Sequence, residues 1–219
     1  KKEASKLGLK FGGSTTVSAS SPTDTAQCLT LMQGGTDDMA MFISSTEHAR
    51  FIRNCKQQGY TGMFGSGADG FSQKLDGSVP DTTIAGAIGV FPYWANTPSV
   101  KQFRSVMAKY QPQATYKNGE SPGIWAALQL FRKAMGTPSG TVTPASVTTA
   151  YGKIKNVTLG GLFPQPITFT AGKAAPVIKC AWLFKWTAGS KYPMTLRYGK
   201  SGNGATGSLA SSCPPPPST

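Results

Sequence analysis

The chain has 219 residues, a net charge of +13 and 39% hydrophobic residues, enough for one large domain or two small lobes with packed cores. No stretch approaches the ~18 consecutive apolar residues of a membrane-spanning helix, and no cysteine or histidine spacing suits a zinc site. The charge is lopsided: residues 1–120 carry 12 basic and 9 acidic side chains, residues 121–219 carry 10 basic and no acidic ones. Such a half attracts polyanions. Its charges are scattered, however, and no recognised DNA or RNA motif accompanies them, so no nucleic-acid partner is expected.

Residues 1–6 read as the tail of a helix. They are polar and lack a signal-peptide pattern, so a mature, processed or truncated start is expected. Residues 7–11 alternate as a half-buried strand, and residues 12–21 form a small-residue loop. Pro22-Thr23-Asp24 opens a helix through Gln33 that stops at Gly34-Gly35. A short apolar strand follows at 39–43. Ser44-Ser45-Thr46 lie at its carboxyl end, where Ser45 or Thr46 can cap the next helix. In that helix Ala49, Ile52 and Cys55 form an apolar stripe, and Gly59 ends it. A second strand starts at Gly62 and has residues 65–69 at its tip. The whole is a βαβ unit with two polar tips on one edge of a parallel sheet, the edge at which open α/β sheets bind ligands.

Residues 71–75 allow a turn or two of helix, and residues 76–81 are a loop by composition. A third strand at 83–90 runs into Phe91-Pro92-Tyr93-Trp94. Three helices then follow. The first starts at Thr97-Pro98 and carries the stripe Val100, Phe103, Met107 and Tyr110. The second starts at Ser121-Pro122, with Ile124, Ala127, Leu128, Phe131 and Met135 on one face and Gly136 as its stop. The third follows Thr143-Pro144 and carries Val147, Tyr151 and Ile154. They need an apolar surface to cover, and the chain supplies no obvious sheet for them. Strands are expected at 167–170 and 177–186, then a Gly/Ser/Pro-rich tail.

The four cysteines are Cys28, Cys55, Cys180 and Cys213. Cys28 and Cys55 lie on the two helices that bracket strand 39–43, so their sulfurs can meet if those helices are neighbours. The even count favours Cys28–Cys55 and Cys180–Cys213 disulfides and an oxidising compartment; four buried or free thiols are the alternative.

Several of these segments together resemble a known family. They are the helix with Thr25-Ala26-Gln27-Cys28, then Gly35-Thr36-Asp37-Asp38-Met39 entering a strand, and the helix ending Cys55-Lys56-Gln57-Gln58-Gly59-Tyr60. Later come Leu159-Gly160-Gly161-Leu162, Ile167-Thr168-Phe169-Thr170-Ala171-Gly172 and the Cys180 strand. In collinear order, from about Lys6 to Trp186, they are similar to the type I periplasmic solute-binding proteins, the leucine/isoleucine/valine-binding receptors of ABC importers. The resemblance implies an α/β fold: a parallel-sheet lobe of a two-lobed receptor, with the core of the N-terminal lobe missing. Residues 1–94 would be second-lobe βα units, 95–165 helices belonging to the first lobe, 166–190 returning strands of the second lobe, and 191–219 the tail. It also implies a non-enzymatic, extracytoplasmic receptor without a cofactor. Its partners would be an amino acid or amide-like solute, a membrane permease and the missing N-terminal half.

The tips supply the candidate ligand-binding residues. Hydroxyls of Ser44, Ser45 and Thr46 can donate to a carboxylate or accept from an ammonium, and they would serve equally as helix caps. Ser66 and Asp69 sit at the second tip, where the family often sets an acid against the ligand ammonium; Ala68 can equally take that place, which would argue against an α-amino ligand, and an aspartate there is also an ordinary turn residue. Tyr93, with Phe91 and Trp94, can wall an apolar pocket, although packing at a hinge explains all three. Gly65 to Gly70 spell G-x-G-x-x-G, but too little helix follows to present its N-terminus to a pyrophosphate. His48 and Cys55 stand two helical turns apart, about 10 Å, too far for a catalytic pair. Asn156-Val157-Thr158 is a glycosylation sequon by pattern alone. Two other functions remain open: a basic surface protein that holds an anionic polymer, and a ligand-sensing regulator on the same lobes.

Overall fold

The computed structural model describes residues 2–6, 8–67, 83–137, 140–187, 194–196 and 213. Asp69, the turns expected at 71–75, the loop 76–81 and most of the tail lie outside the described residues. The chain divides into two compact units, Lys1–Gly86 with Trp186–Lys191, and Ala87–Lys185 with Tyr192–Thr219.

In the first unit, helix α1 (Lys2–Lys6) precedes an irregular stretch. Residues 8–11 form no strand, and Leu9 and Phe11 are exposed. Alternation alone does not make a strand without a neighbour to pair with. Helix α2 (Thr25–Gln33) leads into strand β1 (Asp38–Met41), helix α3 (Ser45–Gln57), strand β2 (Met63–Ser66) and strand β3 (Thr83–Ile88). β1 and β2 run parallel, with Met41 opposite Ser66; β2 and β3 run parallel, with Ser66 opposite Gly86. The βαβ unit is therefore present, with β1 ending two residues sooner than the apolar run suggests.

α3 packs one face inward. His48, Phe51, Ile52 and Cys55 are buried, and Ala49, expected in that stripe, is only half-buried. Cys28 of α2 is disulfide-bonded to Cys55 of α3, with a Cα–Cα distance of 5.4 Å. On the strands, Met39, Met41 and Phe64 are buried. Tyr60 packs edge-on against Phe64 at 5.1 Å, and its hydroxyl donates to the Asp37 carbonyl at 2.7 Å. Burial, with Asp38 and Asp37 nearby, pushes the Tyr60 hydroxyl up to about 12. Asp24, fully buried, accepts from Arg50 Nε at 2.8 Å, while Arg50 Nη2 donates to the Ser18 carbonyl at 2.7 Å. This fork ties the loop before α2 to α3.

The second unit holds helices α4 (Pro98–Tyr110), α5 (Glu120–Met135) and α6 (Pro144–Gly152), and strands β4 (Trp182–Thr187) and β5 (Met194–Leu196), which pair antiparallel. Thr97 caps α4 by accepting the Val100 N–H, and Thr143 and Ser146 form a capping box on α6, as the Thr-Pro starts imply. Fully buried Phe103 is the centre of the core. Phe91, Tyr116 and Trp125 meet it edge-on at 5.2, 5.8 and 5.5 Å.

α5 does not bury the stripe its sequence advertises. Pro122, Ala126 and Leu130 face inward, while Ile124 is 65%, Leu128 59% and Phe131 42% exposed. At 100° per residue the two stripes lie on opposite sides of the helix. The strand expected at 167–170 is reduced to a single bridge between Val157 and Ile167. The one expected from 177 is regular only from Trp182, because Gln165 Oε1 accepts the Lys179 and Cys180 N–H groups in place of a strand partner. Cys180 is disulfide-bonded to Cys213.

Candidate functional site

The parallel register sets Met41 beside Ser66, so the carboxyl ends of β1 and β2 open on one edge of the first unit. The chain leaving β1 runs through Phe42, Ile43 and Ser44 into α3. Ser44 is the residue before the helix, in extended conformation (φ −67°, ψ 163°), and its side chain caps no backbone N–H. Its hydroxyl donates instead to the Glu47 carboxylate. Capping by Ser45 or Thr46 is therefore not what occurs: Ser45 is the first helical residue, and Thr46 follows it with its side chain exposed. Ser44 gives the leading N–H groups of α3 no side-chain cap, and a helix start without one attracts anions. Glu47 sets a carboxylate beside those donors, which suits a cationic group. Both signs of charge can thus be met at one tip.

Beneath the tip lies His48, fully buried. Its Nδ1 sits 3.1 Å from the Ser44 carbonyl oxygen. A carbonyl only accepts, so Nδ1 carries the proton and Nε2 is left with a lone pair that has no hydrogen-bond partner among the described residues. Burial pushes the imidazole below its ordinary range, against the opposing pull of the Ser44 and Ile43 backbone and of Glu47. His48 is therefore a neutral ring that braces the Ser44 carbonyl. Cys55 is consumed by its disulfide, which removes any thiol–imidazole chemistry.

The second tip begins at Ser66, which is buried, its hydroxyl donating to the Gly67 carbonyl at 2.9 Å. Asp69 lies outside the described residues. Tyr93 belongs to the second unit, where it is buried edge-on against Trp94 at 4.9 Å. Arg104 donates to the Tyr93 and Ala95 carbonyls, both at 2.7 Å, and fixes that stretch of backbone. Ser44 and Thr46 are exposed on the tip, the Ser44 hydroxyl already engaged by Glu47.

Sequence reasoning missed Phe42, which is 90% exposed at the end of β1. It sits in an apolar run that reads as strand interior, so no local signal marks it. Glu47 was legible as the residue three after Ser44, the spacing of a capping box. Among the described residues no cluster of three His, Cys, Asp or Glu side chains could hold a metal ion, and no helix is long and apolar enough to cross a membrane.

Comparison with known proteins adds a family. The sequence profile of the periplasmic binding proteins matches residues 1–191. No curated protein sequence matches. Among solved structures, a fatty acid ABC transporter substrate-binding protein from Thermomonospora curvata superposes with a TM-score of 0.69 at 16% identity, over 83% of this chain and 47% of that one. A branched-chain amino acid ABC transporter protein from Thermus thermophilus with bound valine gives 0.69 at 15% identity, over 88% and 53%. A leucine-binding protein from Thermotoga maritima gives 0.62 at 15% identity, over 93% and 53%. The chain spans about half the length of these structures.

Proposed function

This chain belongs to the periplasmic binding protein family, and from that premise we propose that it is the ligand-gripping part of an extracytoplasmic solute-binding receptor for an ABC importer. The proposed solute is a branched-chain type amino acid or an amide-like small molecule. The observation that carries this reading is the uncapped start of α3 at the sheet edge, with Ser44 and Thr46 exposed on it. Its N–H groups and hydroxyls suit a carboxylate, Glu47 suits an ammonium, and exposed Phe42 suits an apolar side chain. Ser45, Ser66 and Asp69 complete the proposed ligand set of the first unit.

The protein works without covalent chemistry in this reading. The solute bridges two lobes, closure is stabilised by the contacts made in the closed state, and a membrane permease recognises that state. The half of the fold that this chain does not span would supply the opposing jaw. The outward stripe of α5, apolar yet exposed, supports a further layer of structure over the second unit.

Calorimetry on the native protein with L-valine, L-leucine, L-glutamine and decanoate tests the reading. At least one amino acid should bind in the micromolar range. Ser44→Ala and Thr46→Ala should each weaken it by roughly threefold to tenfold, the worth of about one hydrogen bond. Binding to decanoate alone overturns the amino acid assignment. Binding to none of the four, together with polyanion binding that collapses as salt rises, favours the anionic-polymer alternative.

A further inference from the structure

A concave feature lies in the second unit, and the receptor reading makes no use of it. A recess of about 350 Å3 opens among Gln102 of α4, Trp125, Gln129, Arg132 and Lys133 of α5, and Leu159 of the loop after α6. That volume falls at the small end of the range for organic ligands, roughly 300–1,000 Å3.

Three independent features converge on it. The first is charge. Among the described residues Arg132 and Lys133 are its basic side chains, and no acidic one lines it. Neither cation is ion-paired with a carboxylate among the described residues, and residues 121–219 contain no acid at all. The second is a fixed aromatic wall. Trp125 meets Phe103 edge-on at 5.5 Å, and Phe103 is fully buried, so the indole is held by the core rather than free on the surface. The third is backbone strain. Leu159 has φ +52°, a conformation that a bulky L residue rarely adopts. The next residue, Gly160, has φ +66°, and a Cβ there would lie 2.6 Å from Ser99 Oγ. Ser99 donates to the Gly160 carbonyl at 3.2 Å, tying the strained turn to the start of α4. Strain of this kind gathers at ligand sites, where the surrounding structure over-determines it.

We propose that this recess binds a small organic anion with a flat apolar body, the class of an aryl carboxylate, with Arg132 and Lys133 meeting the anionic group and Trp125 the ring. The guanidinium matches a carboxylate in plane and bidentate geometry, and the indole face accepts an aromatic body. The site lies wholly within the second unit.

The test uses the native protein and two probes, indole-3-acetate and its neutral counterpart indole-3-acetamide. The readout is the indole N–H signal of Trp125 in NMR spectra, assigned with Trp125→Phe. The acetate should shift that signal saturably and bind about fivefold tighter than the acetamide, with the advantage shrinking as salt rises. The double variant Arg132→Gln, Lys133→Gln changes two exposed side chains. It should leave the other indole signals in place and abolish the preference. Equal affinity for the two probes, a shift that never saturates (an adventitious additive only), or a preference that survives in the double variant would overturn the proposal. A failure here leaves the amino acid titration untouched, and the reverse also holds.

Discussion

Helices α3 and α5 have similar lengths and opposite characters. α3 buries one face, with His48, Phe51, Ile52 and Cys55 inward, while Arg53 and Gln57 are exposed. A disulfide fixes it to α2 and two parallel strands lie beneath. α5 carries two apolar faces: Pro122, Ala126 and Leu130 are buried, and Ile124, Leu128 and Phe131 are exposed on the opposite side. A one-faced helix is satisfied by the core of its own unit, whereas an apolar stripe on the far side calls for a second layer. The apolar face of α3 is thus covered within its own unit, while α5 keeps a second apolar stripe exposed.

The largest effect that would sharpen this contrast is in the first unit. Phe64→Ala empties a fully buried site and should cost about 3–5 kcal/mol in denaturant unfolding. Next, Cys28→Ser with Cys55→Ser opens a crosslink spanning 27 residues and should cost about 3 kcal/mol. Peptide mapping without reductant should first recover the Cys28–Cys55 pair. Acid should also weaken this unit. The folded His48 pKa lies below its unfolded value of 6.5, so the unfolded chain binds the proton more readily. The stabilising contribution is therefore complete above about pH 6.5 and lost as pH falls through the folded value. Unfolding measured from pH 7.5 downward should show stability falling, and His48→Gln should flatten that slope. The smallest effect is expected at α5. Phe131→Ser in these 219 residues should change stability by no more than about 0.5 kcal/mol. A loss above about 2 kcal/mol would mean that the stripe is already covered, and the contrast would fail.

Much of this molecule was legible in its sequence. The βαβ unit rests on local signals, namely an apolar run, a helical stripe and a glycine stop, and the Cys28–Cys55 pair on the even cysteine count and the two helices that bracket β1. The type I periplasmic-binding-protein fold was likewise carried by the order of several short segments. The misreadings share a cause. Ile124, Leu128 and Phe131 form the stronger apolar stripe of α5, but periodicity reveals which faces are apolar and not which of them this chain covers. The small residues Pro122 and Ala126 left little signal for the face that is buried. Residues 8–11 alternate without a partner strand. At 177–181 a side chain, Gln165, satisfies the backbone where a strand was expected. Phe42 looked like strand interior because nothing local says where β1 stops. His48 was weighed only as a catalytic partner for Cys55, although its spacing already placed it on the same inward face.

The proposed receptor role depends on the start of α3 touching the solute. The most direct measurement follows the backbone amide signals of residues 45–47 by NMR while the native protein is titrated with L-valine and L-leucine. Saturable shifts of those amides, lost in the Ser44→Ala, Thr46→Ala double variant, are the expected result. Saturable binding of either amino acid that leaves residues 42–47 unmoved would contradict the account.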